Sequence, residues 1–366
     1  MTRPPVSAVL VNYNGKDYLE SCVASLLREE LEEILLVDSG SDDGAAQEIA
    51  ARAQDAGWPL RLVDLGANLG PSAARNRGLR EAQHDLVLLI DNDVELSEGS
   101  LERLCAALAE DERRALVQAR SVLFDEPNIV HYDGGTQHYL GWASLRNWYR
   151  PLAECAADPG ASHGGAVQLD IAISLCCLAR RQPLLDVGGY DEEMFILVED
   201  VALSFALRLA GYEVAVAENA LCLHKAGTAG LSTRGASRSY AAHRSFLLSR
   251  NRWIFLLSHY RYSSLLLLTP AFAIYGLVHL AFVLRSGHLW AWLRGKAAVA
   301  LSLGYILRRR RMLQRQRVRG DGQLFSCPAL TFNPGLAEGG LRGLVQRVLG
   351  GILEFYWALV GWGIRR

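Results

Sequence analysis

From Val6 to Ile90 the chain alternates short apolar runs with segments of helical spacing, and this alternation decides the class of fold. Val6 to Tyr13 (VSAVLVNY) reads as a buried strand and Leu19 to Arg28 as a helix; Ile34 to Asp38 is the next strand, and Gln47 to Ala56 the next helix. Leu60 to Leu65, Ala73 to Ala82 and the almost wholly apolar Leu86 to Ile90 continue the series. Strands separated by helices must cross over, so the expected architecture is a mostly parallel sheet flanked by helices. In such sheets ligands bind beyond the carboxyl ends of the strands. Three of those ends carry polar clusters: Asn12-Tyr13-Asn14, Asp38-Ser39-Gly40-Ser41-Asp42-Asp43-Gly44, and Asp91-Asn92-Asp93.

The later chain is organised differently. A helix is expected from Ser100 to about Ala109, and Val117 to Tyr149 is less regular and aromatic. Gly188 to Ala210 opens with a Gly-Gly turn and closes in a helix beginning near Glu199, and a strand follows from Glu213 to Leu223. Of the 366 residues, 1 to 230 hold 18 Lys+Arg against 36 Asp+Glu, a balance of −18, whereas 231 to 366 hold 20 against 3, a balance of +17. This asymmetry argues against a nucleic-acid reader and for a basic C-terminal part facing an anionic partner such as lipid headgroups. The division expected is therefore residues 1–230 as the catalytic or binding domain and 231–366 as a helical, membrane-associating extension. Leu265 to Leu284 has no Asp, Glu, Lys or Arg over 20 residues, enough to cover roughly 30 Å at about 1.5 Å per residue. It fits one or two membrane spans, a helix lying along the surface, or a core helix pair broken at Pro270 and Gly276. Trp290 to Leu307 and Leu341 to Ile364 are interrupted by charges and read as interfacial. Seven scattered cysteines without CxxC spacing indicate neither a disulfide framework nor a zinc cluster, and Met1 to Leu10 lacks a secretory pattern, so the cytoplasmic face of a membrane is the expected setting.

Several residues at the strand ends could carry chemistry. Asp91 and Asp93 are alternate positions after a strand, so both carboxylates can face one site, and two hard oxygen donors suit Mg²⁺ or Mn²⁺ on a diphosphate; a solvated loop is the plainer alternative. Asp38 can accept hydrogen bonds from a nucleoside or cap the segment that follows, though Asp42 or Asp43 suits capping better. Asn68 to Gly78 (NLGPSAARNRG) puts small residues at a loop-to-helix junction with Arg75 and Arg77 within reach of phosphate, and equally describes an ordinary helix start. Glu199 and Asp200 stand where a helix dipole favours negative charge.

Taken in order, Val9 to Gly15 (VLVNYNG), Val37 to Gly44 (VDSGSDDG), Asn68 to Gly78, Asp91 to Asp93 and Gly188 to Gly211 (GGYDEEMFILVEDVALSFALRLAG) resemble the family 2 glycosyltransferases, and among them bacterial rhamnosyltransferase-type members. The resemblance covers roughly residues 6 to 230 and implies the GT-A fold, a nucleotide-diphosphate sugar donor, a glycan or polyprenyl-linked acceptor, and a metal-dependent, inverting transfer in bacterial surface polysaccharide synthesis. It further implies that Asp38 contacts the nucleoside, Asp91 the ribose or donor sugar, and Asp93 the divalent metal. Asp200 would be the catalytic base, with Glu199 beside it, and His224, followed by Gly227-Thr228, a further metal or diphosphate contact. Val11, Tyr13, Asn68, Arg75, Asn76 and Asn92 complete the donor-binding set.

The sequence also departs from that family's pattern. Ala202 stands where a further acid often follows Glu-Asp, Leu197 or Val198 replaces an aromatic, and Ser174-Leu175-Cys176-Cys177 precedes Arg180-Arg181 in place of a glycine. These changes lie on the acceptor side and keep open a non-catalytic, membrane-anchored binding or scaffold subunit. A sugar nucleotidyltransferase would need a Gly-rich, Arg-containing loop after the first strand, where Asn12-Tyr13-Asn14-Gly15-Lys16 stands instead. Walker-type and GxGxxG loops are missing from the N-terminal half.

Overall fold

The computed structural model describes residues 3–155, 165–225, 242–326, 330 and 340–365. The N-terminal part runs β1 (Val6–Asn12), α1 (Leu19–Leu27), β2 (Glu33–Asp38), α2 (Ala45–Ala56), β3 (Leu60–Asp64), α3 (Gly70–Glu81) and β4 (Leu86–Asp91). It continues with β5 (Val94–Leu96), α4 (Ser100–Ala109), β6 (Arg114–Leu123), β7 (Val130–Tyr132), β8 (Gly135–His138), β9 (Trp142–Leu145) and β10 (Ala166–Leu169). Then come β11 (Cys176–Arg180), α5 (Arg181–Asp186), α6 (Glu199–Leu209) and β12 (Glu213–His224).

The main sheet has the order β10-β12-β6-β11-β4-β1-β2-β3, with β5 on β12 and β7 on β6. β3, β2, β1 and β4 are mutually parallel, as the alternation requires. β11 enters between β4 and β6 antiparallel to both, so the start of β11, not its end, lies beside the carboxyl end of β4. The aromatic stretch resolves into the end of β6, then β7, and a separate β8-β9 hairpin. Every residue of β1 and β2 is buried because both faces of the sheet are covered. Ala8, Leu10, Ile34 and Leu36 pack with Leu19, Leu26 and Leu104 on one face, and Val9, Val11, Leu35 and Val37 with Ala74, Leu79 and Leu207 on the other.

The C-terminal part comprises α7 (Ala242–His259), α8 (Tyr262–Leu267), α9 (Thr269–Arg285), α10 (Leu289–Leu301), α11 (Leu303–Arg315), α12 (Asp321–Leu324) and α13 (Gly340–Arg365). It shares a core with the N-terminal part: Phe205 of α6 stacks on Tyr260 at 5.4 Å, and Tyr139 on Trp357 of α13 at 5.2 Å. The boundary expected at residue 230 falls outside the described residues. The apolar run Leu265 to Leu284 is not one helix. It divides at Leu268, ahead of Pro270 in the first turn of α9, where a proline without an N–H is tolerated. Gly276 does not interrupt α9. No helix among the described residues is long and apolar enough to cross a membrane, which corrects the expectation of one or two spans by that run.

The basic excess is also partly internal. Arg309 donates to the carbonyls of Gly188 (3.0 Å) and Gly189 (2.9 Å), and Arg310 to those of Leu257 (2.9 Å) and Tyr260 (2.5 Å), both side chains being buried. Arg309 thus joins the two oppositely charged parts through backbone oxygens, beside the apolar packing, while Arg310 binds within the C-terminal part.

Gly78 shows how closely α3 lies on the sheet. A Cβ there would come within 2.2 Å of Val9 Cγ1. Gly78→Ala is therefore expected to destabilise the fold by about 1–3 kcal/mol through overpacking, despite alanine's better helix propensity. A lower urea midpoint with an unchanged m-value would register this; an unchanged or higher midpoint would contradict the close contact.

Candidate functional site

Parallel register brings the polar strand ends together. Asn12 pairs with Asp38 across β1 and β2, and Val11 with Asp91 across β1 and β4. Asn12 Nδ2 donates to Asp38 Oδ1 (2.6 Å) while Asn12 Oδ1 accepts from Asn92 Nδ2 (2.7 Å). This buried line ties three strand ends into one rim. The Val11 carbonyl accepts from the Asn92 N–H at 3.1 Å, and Tyr13, just past β1, is 41% exposed. Asp38 is fully buried; its Oδ1 also accepts from Ser41 Oγ (2.6 Å) and its Oδ2 from Ser41 N–H (2.8 Å). In this arrangement Asp38 fastens the Ser39–Asp43 turn. Asp43 caps α2 by accepting from the Ala45 N–H at 3.1 Å.

Arg75, buried on α3, is the charge at the centre of the rim. Its Nη2 donates to Asp91 Oδ1 at 2.6 Å, its Nη1 lies 4.0 Å from Glu199 Oε1, and its guanidinium stands over the Tyr190 ring at 5.3 Å. Burial works against the charge on Arg75, but Asp91 and the Glu199-Asp200 pair outweigh it and hold its pKa above the ordinary arginine value. Asp200 is reached through β11: the Leu175 carbonyl accepts from the Asp91 N–H (3.0 Å), and Ser174 N–H donates to Asp200 Oδ1 (3.2 Å). The end of β4, the start of β11 and the start of α6 therefore meet.

Glu199 and Asp200 differ in setting. Glu199 is buried, and burial together with the Asp200 charge pushes its pKa up to about 8. Asp200 is partly exposed; burial raises its pKa too, opposed by Arg75 and the Ser174 hydrogen bond. Asp200 thus loses its proton first, and Glu199 keeps one through neutral pH.

Asp93 and His224 meet because β5 pairs with β12 in the register Val94 to His224, with the Lys225 N–H donating to the Asp93 carbonyl at 2.9 Å. His224 Nε2 lies 3.2 Å from Asp93 Oδ2, and His224 Nδ1 is hydrogen-bonded to His131 Nδ1 of β7 at 2.8 Å. The second bond fixes the ring so that Nε2 faces the carboxylate. No cluster of three or more metal-ligating side chains occurs among the described residues. One carboxylate and one imidazole nevertheless fit a divalent cation whose remaining positions are taken by phosphate oxygens and water. Gly227 and Thr228 lie outside the described residues.

Two expected donor contacts are engaged elsewhere. Asn76 is buried, with its amide on the backbone of Tyr190 (2.8 and 2.9 Å) and on Glu192 (2.8 Å), and so ties α3 to the Gly-Gly turn. Asn68 Oδ1 accepts from the Gly70 N–H at 3.1 Å, closing the loop before α3.

The family description "Glycosyl transferase family 2" matches residues 7–160. An N-acetylglucosaminyl-diphospho-decaprenol L-rhamnosyltransferase of Mycobacterium tuberculosis is 30% identical over 271 residues, 66% of this chain and 84% of that protein. The chain belongs to glycosyltransferase family 2. A second relative of this family 2 chain is the poly-beta-1,6-N-acetyl-D-glucosamine synthase of Staphylococcus aureus, 25% identical over 59% of the chain; the chain spans about half (49%) of that protein. The crystal structure of GalNAc-T7 with UDP, GalNAc and Mn²⁺ superposes with a TM-score of 0.53 over 70% of the chain and 50% of that protein, at 14% identity, and so shares the fold.

Sequence reading passed over Asn12 as a site residue, and also His131 and Ser174. Asn12 carried a usable signal, a buried amide closing an otherwise apolar strand. His131 and Ser174 carried none, because strand pairing alone brings them to the glycosyltransferase site.

The Glu199 environment predicts a pH-dependent stability. The folded state keeps this proton to about pH 8, whereas the unfolded chain releases it near the ordinary value of 4.5. The stability it contributes is complete below that unfolded value and is lost as pH rises through the window up to about 8. Glu199→Gln should therefore melt increasingly above wild type between those limits, with a gap of about 1–3 kcal/mol at pH 9. Parallel wild-type and variant stability curves across that range would contradict the burial of an uncharged Glu199.

Proposed function

We propose that this glycosyltransferase moves a sugar, with inversion, from a nucleoside-diphosphate sugar to a lipid-linked or glycan acceptor in bacterial surface polysaccharide synthesis, working at a membrane surface. The observation that carries the reading is the convergence of Asp91, Glu199 and Asp200 around Arg75 at the rim of the sheet. The names of the rhamnosyltransferase and poly-N-acetylglucosamine synthase relatives support the acceptor class and the pathway.

In this reading the nucleoside lies along Val11, exposed Tyr13 and the turn that Asp38 fastens, and the donor sugar lies beside Asp91 and Asn92. Asp93 and His224 would hold Mg²⁺ or Mn²⁺, which when bound supplies positive charge against the leaving diphosphate. Asp200 removes the proton of the acceptor hydroxyl as oxygen attacks the anomeric carbon, the step that inverts configuration. Its partial exposure gives an acceptor access, whereas buried, protonated Glu199 adds no second negative charge beside Arg75. Arg75 keeps Asp200 ionisable, Asn68 closes the loop before α3, and Asn76 ties the middle of that helix to the Gly-Gly turn.

Asp200→Asn tests the base. Turnover should fall about 10²–10⁴-fold while donor binding, measured by calorimetry with Mn²⁺ and a panel of nucleoside-diphosphate sugars, persists. Retained turnover would remove Asp200 from the role; donor binding without turnover by wild type across plausible acceptors would favour the scaffold reading. Because the base must be ionised and burial raises its pKa, kcat should rise with pH along a limb lying above the ordinary aspartate range. A profile already flat from pH 4 upward would contradict that environment.

The membrane part of the reading rests on α13. Leu344, Val348, Ile352, Phe355, Leu359 and Trp362 recur every three or four residues and are all exposed, while Leu349, Leu353 and Ile364 are buried in the core. Exposed Arg285, Arg294, Arg308, Arg311, Arg315 and Arg347 in the C-terminal helices complement an anionic headgroup layer. Co-sedimentation with phosphatidylglycerol-containing vesicles should exceed that with phosphatidylcholine alone. The double variant Phe355→Ser/Trp362→Ser should lose most of the bound fraction, and undiminished binding would exclude this face.

A further inference from the structure

The six residues before Asp200 follow an unusual backbone path. Phe195 has φ 64° and ψ −74° and closes a three-residue turn in which the Ile196 N–H donates to the Met194 carbonyl at 2.8 Å. Leu197 (φ 71°) and Val198 (φ 76°) are also left-handed, and Val198 leads directly into α6 with no side-chain cap. None of the three is glycine, and a β-branched residue in that region is an outlier. Strain of this kind persists only where the surroundings over-determine it.

Here they do so carbonyl by carbonyl. Arg250 Nη2 of α7 donates to Glu193 (2.7 Å) and Met194 (3.2 Å). Asn251 Nδ2, fully buried on the same helix, lies 2.8 Å from the Met194 carbonyl, 2.9 Å from that of Ile196 and 2.8 Å from that of Leu197. Ser72 Oγ of α3 donates to the carbonyl between them, Phe195, at 3.1 Å. The next carbonyl, Val198, accepts the Ala202 N–H as the first turn of α6. Every backbone oxygen from residue 193 to 197 is thus held by a side chain, and the amide of Asn251 holds three of them.

We propose that Asn251 is a positioning residue for transfer: from the C-terminal helices it buckles the left-handed turn 195–198 and so sets where α6 begins and where the Asp200 carboxylate points. The inference rests on the reading of Asp200 as the base. It gives α7 a catalytic consequence separate from membrane docking. It also explains why a chain whose glycosyltransferase motifs end near residue 211 shares a core with the helix that follows. Without the amide donors, the carbonyls of Ile196 and Leu197 lose their side-chain partner, while that of Met194 keeps Arg250 and the Ile196 N–H; the turn then relaxes toward ordinary φ, displacing the first turn of α6, and a displacement of about 1 Å at a reacting group can cost about 10²-fold in rate.

Full-length Asn251→Ala and the isosteric Asn251→Asp provide the test, with Asn251→Ser, which keeps one donor, as a milder variant should either fail to fold. Expected are a 10- to 100-fold fall in kcat, affinities for UDP, GDP or dTDP with Mn²⁺ within about threefold of wild type, and faster amide hydrogen exchange confined to peptides covering 194–203. Unchanged exchange in that segment would overturn the inference, as would unchanged kcat with local exchange accelerated. A loss of kcat accompanied by uniformly faster exchange would also overturn it, since that marks general destabilisation. Asp200→Asn run alongside separates the two readings: if it retains turnover the base assignment fails, while local exchange in the Asn251 variants still reports whether the buckle exists.

Discussion

A buried guanidinium among acids organises this protein. Arg75 lies among Asp91, Glu199 and Asp200, which arrive from two elements far apart in the chain. A buried cation requires such partners, and the acids in turn could not share so small a volume without it; deleting one member of a buried ion pair commonly costs about 3–5 kcal/mol. The arrangement also distributes protons unequally. One carboxyl of the Glu199-Asp200 pair is left neutral and the other ready to ionise, a difference that arises from burial and the neighbouring Asp200 charge on Glu199, and from Arg75 and the Ser174 hydrogen bond opposing burial on Asp200.

Around that centre the sheet acts as a ruler. Parallel register aligns the ends of β1, β2 and β4, and the Asp38–Asn12–Asn92 hydrogen bonds lock the alignment. The antiparallel entry of β11 brings Leu175 beside Asp91 and, one residue earlier, Ser174 onto Asp200. Asp93 and His224 are joined by a different device, the short β5 laid against the end of β12. The rim is therefore built from pairings of both senses, parallel among β1, β2 and β4 and antiparallel where β11 meets β4 and β5 meets β12.

Much of this was legible in the sequence, and for identifiable reasons. The strands β1 to β4 and helices α1 to α4 are local: apolar runs and helical spacing decide them, and their order implies where their ends meet. The Asp91 to Asp93 and Glu199-Asp200 pairs were visible because acids stand where apolar runs stop. What escaped was non-local. Nothing near His131 or Ser174 announces the strand pairing that delivers them, and nothing near Asp38 indicates that Ser41 and Asn12 will occupy both its oxygens. In the C-terminal part, net charge and hydropathy cannot tell an arginine that faces headgroups from one bonded to the carbonyls of Gly188 and Gly189. An apolar run likewise reads the same whether it crosses lipid or, as here, turns at Leu268 and sends Leu268, Ala271 and Phe272 into a shared core.

The aromatic core shared by α6 and α7 constrains how such a protein can diversify. Phe205, Phe255 and Tyr260 interlock across the two parts, so neither helix can drift in sequence without the other following. Exchanging this region between relatives by recombination would have to carry both helices as one cassette. A crossover in the intervening chain would leave mismatched rings at the seam.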